Sequence, residues 1–242
     1  MKKYELTTNT ETCFGRKLYQ IKALKDFGDV KAGDLGGYIE KEENLSQDDI
    51  AWVFDNACVC GDAKVYGNAQ IHDIARVYDH AEVCGKAQVY GNAQICGYAE
   101  IYGKALVYGD AEIYGDACVY DNAEVFDNAQ VFGDACVCDN AEVFDNACVL
   151  GKAQVYDTTW IHCDAQISSN ADYICFKGFG SENRNTTMFR TRNGDICVCC
   201  GCFEGSLKEF EEKVKETHGN TKYAKEYLAC IEVAKIHFEI DE

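Results

Sequence analysis

The stretch VYGDAEIYGDACVY, residues 107–120, holds two six-residue units and the start of a third. Val107, Ile113 and Val119 open the units, and Ala111 and Ala117 stand at their fifth positions. Extended in both directions with no residue inserted or missing, the same count runs from Val53 to Asp172 and cuts this segment into twenty hexads. The first position is Val or Ile in all twenty, and the fifth is Ala in nineteen, with Thr159 the exception. The second position is usually Tyr, Phe or Cys, the third nearly always Gly or Asp, and the fourth often Asn or Asp.

A six-residue period is not a helical stripe, whose apolar residues recur at three and four, and it is too short for any helical repeat unit. A parallel β-helix remains, in which each hexad makes one short strand and one corner and three hexads close a triangular coil of 18 residues. The first position then points inward and stacks on its equivalents in the coils above and below. Ala at the fifth position also points inward, where the corner leaves no room for more. Gly, Asp and Asn suit the bends because they tolerate left-handed or tightly turned backbone. At about 4.8 Å between stacked strands, twenty hexads predict a prism on the order of 30 Å long.

The pattern [VI]-x-[GD]-x-A-x resembles the hexapeptide repeat that builds left-handed β-helices in the hexapeptide acyltransferase superfamily. The lead-in DFGDVKAGDLGGYIEKEENLSQ (26–47) looks like that of bacterial and prophage-type proteins carrying such repeats, and the resemblance covers about residues 16–172. It implies a single-stranded left-handed parallel β-helix; the hand comes from the resemblance, since the period sets only the coil length. It also implies, as one reading of function, acyl transfer with a His as general base and acyl-CoA in a groove between subunits, the protein then being a trimer.

The chain has 242 residues with 41 Asp+Glu against 23 Lys+Arg, a formal charge of −18. Such a surface repels phosphate backbones and anionic membranes, so direct nucleic-acid binding is disfavoured. MKKYELTTNTETCFG at the start has no apolar run after its lysines, and nowhere do eighteen apolar residues follow one another. A cytoplasmic protein with neither a cleaved signal nor a membrane span is expected. Of the 16 Cys, eight fill outward-facing repeat slots that Tyr, Phe, Gln or Glu hold elsewhere, which reads as reduced thiols and not as a disulfide framework.

A β-helix exposes unpaired backbone at both ends, and both ends need covers. Residues 1–50 read as the first, an N-terminal β cap with a strand at KLYQIKAL (17–24), turns over 28–37, and a second strand at YIE feeding the coil. The hexad segment spans 51–172. A small α+β module of strands followed by two helices occupies 173–242. Its strands are YICFKGF (173–179) and MFRTRNGDICVCC (188–200), the latter folded at Asn193-Gly194 as a type I′ hairpin. Ser206 with Glu209 makes a capping box for a helix whose Leu207, Phe210 and Val214 share a face, closed by His218-Gly219-Asn220. A second helix over 221–238 carries Ala224, Tyr227, Leu228, Ile231 and Phe238 on one side.

Three sets of residues are candidates for function. His72 and His162 at second positions and His80 at a corner are the repeat histidines available as a general base. Cys199-x-x-Cys202, with Cys197, Cys200 and His218 nearby, holds enough thiolates for zinc, although ICVCC alternates like a strand and parts Cys197 and Cys199 from Cys200. Every eighteenth residue gives a column Phe54, His72, Tyr90, Tyr108, Phe126, Phe144, His162, and a second contains Tyr102 and Tyr120. Such ring columns form flat binding walls.

Nothing in the repeats converges several different polar side chains on one point. The sequence therefore reads first as a non-enzymatic scaffold with no cofactor, working through its flat surfaces and C-terminal module by binding a protein partner or itself. The hexapeptide-type acyltransferase using acyl-CoA is the alternative. A mobile-element protein that sequesters a host ligand or protein, with an acidic rod imitating DNA as one form of it, is a third.

Overall fold

The computed structural model describes residues 2–240. From the N-terminus run β1 (Tyr4–Cys13), β2 (Arg16–Ala23) and β3 (Leu35–Ile39), then twenty strands, mostly of two residues, from β4 (Trp52–Val53) to β23 (Gln166–Ile167). β24 (Tyr173–Phe179), β25 (Arg184–Arg190), β26 (Ile196–Cys200), β27 (Phe203–Ser206), α1 (Leu207–His218) and α2 (Lys222–His237) follow.

The twenty short strands wind into a parallel β-helix of nearly seven coils with three sheet faces. Each strand pairs with the one 18 residues on, as Gln88↔Leu106 and Val89↔Val107 show. Every first-position Val or Ile is buried, as are the fifth-position Ala residues from Ala57 to Ala165. One coil shows how the backbone is satisfied. Tyr120, Asn122 and Glu124 donate to the carbonyls of Val137, Asp139 and Ala141 on the next coil at 3.0, 2.8 and 2.9 Å, and Ala123 turns the corner by donating to Tyr120 at 3.2 Å. That accounts for the alternate N–H groups and the corner.

The third position has a left-handed backbone at every Gly and Asp corner from Asp55 to Asp157, Asp79 for example lying at φ 59° and Gly85 at φ 70°. The two residues solve the corner differently. Gly avoids the Cβ contact; at Gly85 that atom would lie 2.9 Å from the Gly103 nitrogen one coil on. Asp bears the contact and uses its carboxylate: Asp73 accepts the Gly91 N–H at 2.9 Å, and Asp139 accepts that of Asp157 at 2.9 Å. Asp therefore provides a hydrogen bond, and Gly provides ease of turning.

β1, β2 and β3 form an antiparallel extension of one face, β3 then pairing in parallel with the coil strand at Cys58–Val59. β1 lies outside the sequence expectation because YELTTNTETC does not alternate; only Tyr4 and Cys13 at its ends are buried. Tyr4, Phe27 and Trp52 close the open end with edge-on ring contacts, Tyr4 to Trp52 at 6.0 Å and Phe27 to Trp52 at 5.2 Å. The strand at 35–39 begins inside the stretch read as turns, and Gly36 and Gly37 explain why it packs so closely. A Cβ on Gly36 would lie 2.5 Å from the Val53 carbonyl, and one on Gly37 2.5 Å from that of Ala57. The cover also buries Cys58 and Cys60 against Cys13 and Leu18, so these two repeat cysteines face out of the prism without facing water.

The other end meets an antiparallel sheet in the order β24-β25-β26-β27. The alternation of ICVCC holds: Cys197 and Cys199 face the β-helix core with Phe189, while Ile196, Val198 and Cys200 face the helices with Met188. α1 and α2 cover that second face through Phe210, Val214, Tyr227 and Ile231. Ser206 and Glu209 form the expected reciprocal cap, and Gly219 ends α1 at φ 54°. β27, which leads straight into that cap, was not legible because FEGS carries no strand pattern. The β25–β26 connection corrects the type I′ expectation. Gly194 donates to Thr191, and of the Asn193-Gly194 pair only Gly194 has positive φ, 85°, where type I′ needs both. The loop is longer because Thr191 and Arg192 dock on the last coil, Arg192 donating to the Asp164 carbonyl at 2.9 Å. All 16 cysteines are free, and no helix among the described residues is long and apolar enough to cross a membrane.

Candidate functional site: a groove between the last coils and the terminal sheet

Where the terminal sheet leans on the last coils it leaves a cavity of about 530 Å³. Phe144, Trp160 and Phe203 give it apolar walls; Glu142, Arg184, Asn185 and His162 supply polar groups. The coil residues come from consecutive turns of one face, where the second and sixth hexad positions point away from the prism. Arg184 and Asn185 begin β25, and Asn185 is tied to the Thr158 hydroxyl at 2.6 Å. Burial raises the carboxyl pKa of Glu142, and neighbouring Glu124 adds to the effect.

His162 ends the main aromatic column. Its ring stacks on Phe144 at 4.7 Å and meets the edge of Phe189 at 5.6 Å, so its side chain is only 9% exposed. Its Nδ1 faces Cys163 Sγ at 2.9 Å, Asp145 Oδ2 at 3.7 Å and Glu204 Oε2 at 3.9 Å. Burial lowers the imidazole pKa against the opposing pull of Glu204 and Asp145, and burial raises that of the Cys163 thiol, with Glu204 adding to it. Nδ1 being turned to this cluster, Nε2 is the nitrogen left for a molecule in the groove.

The other two histidines lie elsewhere. His72, in the same column, stacks on Phe54 at 4.2 Å near the N-terminal end. His80 stacks on Tyr98 at 4.7 Å and faces Asp62 at 3.7 Å in a second hollow, also of about 530 Å³ but lined mainly by charged groups, Lys41, Glu43, Lys64 and Glu82. The three are not brought together. Cys199 and Cys202 both line the groove, Cys199 buried and Cys202 exposed. Among the described residues, however, the metal-ligating atoms that converge within 4.8 Å are those of Asp145, His162 and Cys163.

Rings from Tyr90 through Tyr108, Phe126 and Phe144 to His162 stack face to face at 4.7–4.9 Å, and Tyr102 stacks on Tyr120 at 4.9 Å. Their faces are consumed along the axis, so the columns present ring edges outward, and the Tyr and Phe rings are half-buried while His162 is buried.

Trp160, Arg184, Asn185, Glu142 and Glu204 were not singled out from the sequence. A signal for two of the groove's neighbourhoods was present: Thr159, Trp160 and Cys163, all departures from the repeat, fall in two adjacent hexads beside the groove. Arg184, Asn185 and Glu204 left no such signal, because only folding carries the sheet back onto the coils.

Coil, period and covered ends together define a hexapeptide-repeat β-helix protein. No family model matches the chain. A stretch of 55 residues, 22% of the chain, is 46% identical to part of the "Uncharacterized acetyltransferase YdcK" of Escherichia coli (strain K12). That stretch spans 17% of the relative's own length, so the likeness is to a segment of it.

Proposed function

We propose that the groove is an acyl-transfer site in which His162 accepts the proton of the attacking group. The observation that supports it is the placement of His162: nearly buried, held by rings on two sides, and lining an apolar-walled cavity with its Nδ1 turned toward Cys163 and Asp145. The partial likeness to an acetyltransferase points the same way. In the step, Nε2 takes the proton of an acceptor hydroxyl or amine while the acceptor's lone pair attacks the thioester carbonyl. The carbon–sulfur bond then breaks, and the departing thiolate takes the proton back from the imidazolium. Arg184 is set against two carboxylates, Glu142 and Glu204, so the groove suits the uncharged acyl and thioester end of acyl-CoA and leaves its phosphates outside.

Acetyl-CoA at millimolar concentration is expected to raise the melting temperature of the chain, since binding to the folded state alone stabilises it. His162→Gln should keep that shift and lose turnover at least a hundredfold in a coupled thiol-release assay. No shift at all, or a His162→Gln variant as active as the parent, defeats the reading.

The scaffold reading keeps one supporting observation, the ring-edged columns through Phe126 and Tyr120. We infer a second copy of the chain as the partner, a homotrimer being the natural closure for a three-faced prism. Light scattering should then give three times the 26.9 kDa chain mass, falling to a monomer in Tyr102→Glu/Tyr120→Glu. A monomeric parent excludes it.

A further inference from the structure

Cys163 is out of place as a corner residue. Eighteen of the twenty hexads carry Gly or Asp at that position, and Cys163 there adopts φ 55°. Neither the ease of Gly nor the carboxylate of Asp accounts for it, and it adds nothing to the buried core. Its sulfur instead meets two other groups, His162 Nδ1 at 2.9 Å and Glu204 Oε1 at 3.0 Å, while Asp145 Oδ2 approaches the same imidazole nitrogen at 3.7 Å. Asp145 comes from one coil, His162 and Cys163 from the next, and Glu204 from β27, so the meeting is made by the tertiary fold.

The charge at this point is unbalanced. Two carboxylates and a thiol surround one imidazole, and among the described residues neither Asp145 nor Glu204 has an ion pair with Lys or Arg. We propose that Asp145, His162, Cys163 and Glu204 bind a divalent transition-metal ion of the zinc class. One sulfur, one nitrogen and two oxygens fit zinc, whereas calcium and magnesium take oxygen alone. Tetrahedral bonds of about 2.0 Å to nitrogen and oxygen and about 2.3 Å to sulfur put donor atoms roughly 3.3–3.5 Å apart. Asp145, His162 and Cys163 already hold their donor atoms within 4.8 Å of one another, and Glu204, which reaches the sulfur through Oε1 at 3.0 Å and Nδ1 through Oε2 at 3.9 Å, completes the set by swinging one oxygen inward. The outer shell is in place too: Asp145 Oδ2 also accepts the Cys163 N–H at 3.1 Å, and the imidazole is clamped between Phe144 and Phe189. Binding releases the Cys163 thiol proton to solvent as the sulfur–metal bond forms.

The inference goes beyond the acyl-transfer reading and does not rest on it, but it bears on the same imidazole. An ion on Nδ1 puts the neutral ring's proton on Nε2, so loading converts His162 from a proton acceptor to a donor toward the groove.

The test uses the full chain, reduced and stripped with a chelator, titrated with Co²⁺ and read optically without any acyl donor. One equivalent is expected, with a thiolate-to-cobalt charge-transfer band, intense visible bands of four-coordination, and displacement by one equivalent of Zn²⁺. Cys163→Gly, which installs the ordinary corner residue and so preserves the coil, should abolish the charge-transfer band. Asp145→Asn and Glu204→Gln should each weaken binding at least tenfold, and Cys202→Ser should leave the spectrum unchanged. No cobalt retained after desalting, or a thiolate band that survives Cys163→Gly and disappears in Cys202→Ser, overturns the site.

Discussion

The carboxylate of Asp139 accepts the backbone N–H of Asp157, its counterpart one coil on, at 2.9 Å. Both residues have left-handed φ, 60° and 67°. Removing the carboxylate while keeping a Cβ combines lost hydrogen bonding with unrelieved strain. Asp139→Ala should cost about 1–2 kcal/mol in urea unfolding, and Asp139→Gly clearly less, since Gly adopts this backbone freely. Equal losses for the two would mean the strain at this corner is negligible.

Val107 has no solvent exposure and lies in register with Val89 and Val125. Val107→Asp places an unpaired carboxylate inside the prism, and a loss of about 4 kcal/mol or more is expected from the thermal or denaturant midpoint. An unchanged midpoint would contradict the inward assignment of every first position.

Asp172 closes the last coil by accepting from the Ser168 N–H and hydroxyl at 2.9 and 2.7 Å and from the Ser169 N–H at 2.8 Å. Burial opposes its charged form, but these donors together hold its pKa below the usual carboxylate range. A depressed folded pKa adds stability that is complete above the unfolded value and lost as pH falls through the folded one. Wild type should therefore exceed Asp172→Asn by about 1–2 kcal/mol at pH 7, the gap shrinking below about pH 4. A gap that grows on acidification would reverse the assigned sign.

Gly36 leaves no room for a methyl group beside Val53 and Trp52. Gly36→Ala should lift β3 from the first coils, costing about 2 kcal/mol and opening the N-terminal strands to protease ahead of the repeats. Proteolysis at the wild-type rate would show that the contact yields cheaply.

Burial pushes the thiols of Cys58 and Cys60 up to about 12, with nearby Cys13 adding to the effect. Cys202 is exposed. Iodoacetamide at pH 8 should label Cys202 in the native chain and leave Cys58 and Cys60 unmodified until denaturant is added, as read by peptide mass mapping. Comparable native labelling of all three would place the N-terminal strands elsewhere.

The coil itself was legible because each hexad repeats one local solution: an aliphatic residue, a corner residue and an alanine whose neighbours in space are copies of themselves 18 residues away. The capping box at Ser206 and Glu209 was legible for the same reason, its partners being three residues apart. β1 and β27 were not, since their partners are distant strands and their own residues carry no alternation.

For this protein the sequence alone determined the rod, its inward valines and alanines, and the position at which the period stops, because those features rest on contacts between equivalent residues. That His162 sits in the groove under the terminal sheet, and that Cys163 meets Glu204, were decided only by tertiary structure. The docking of β25 and β27 against the last coils is a single non-repeated packing event, joining Asn185 to Thr158 across 27 residues and Glu204 to Cys163 across 41. No periodicity records it.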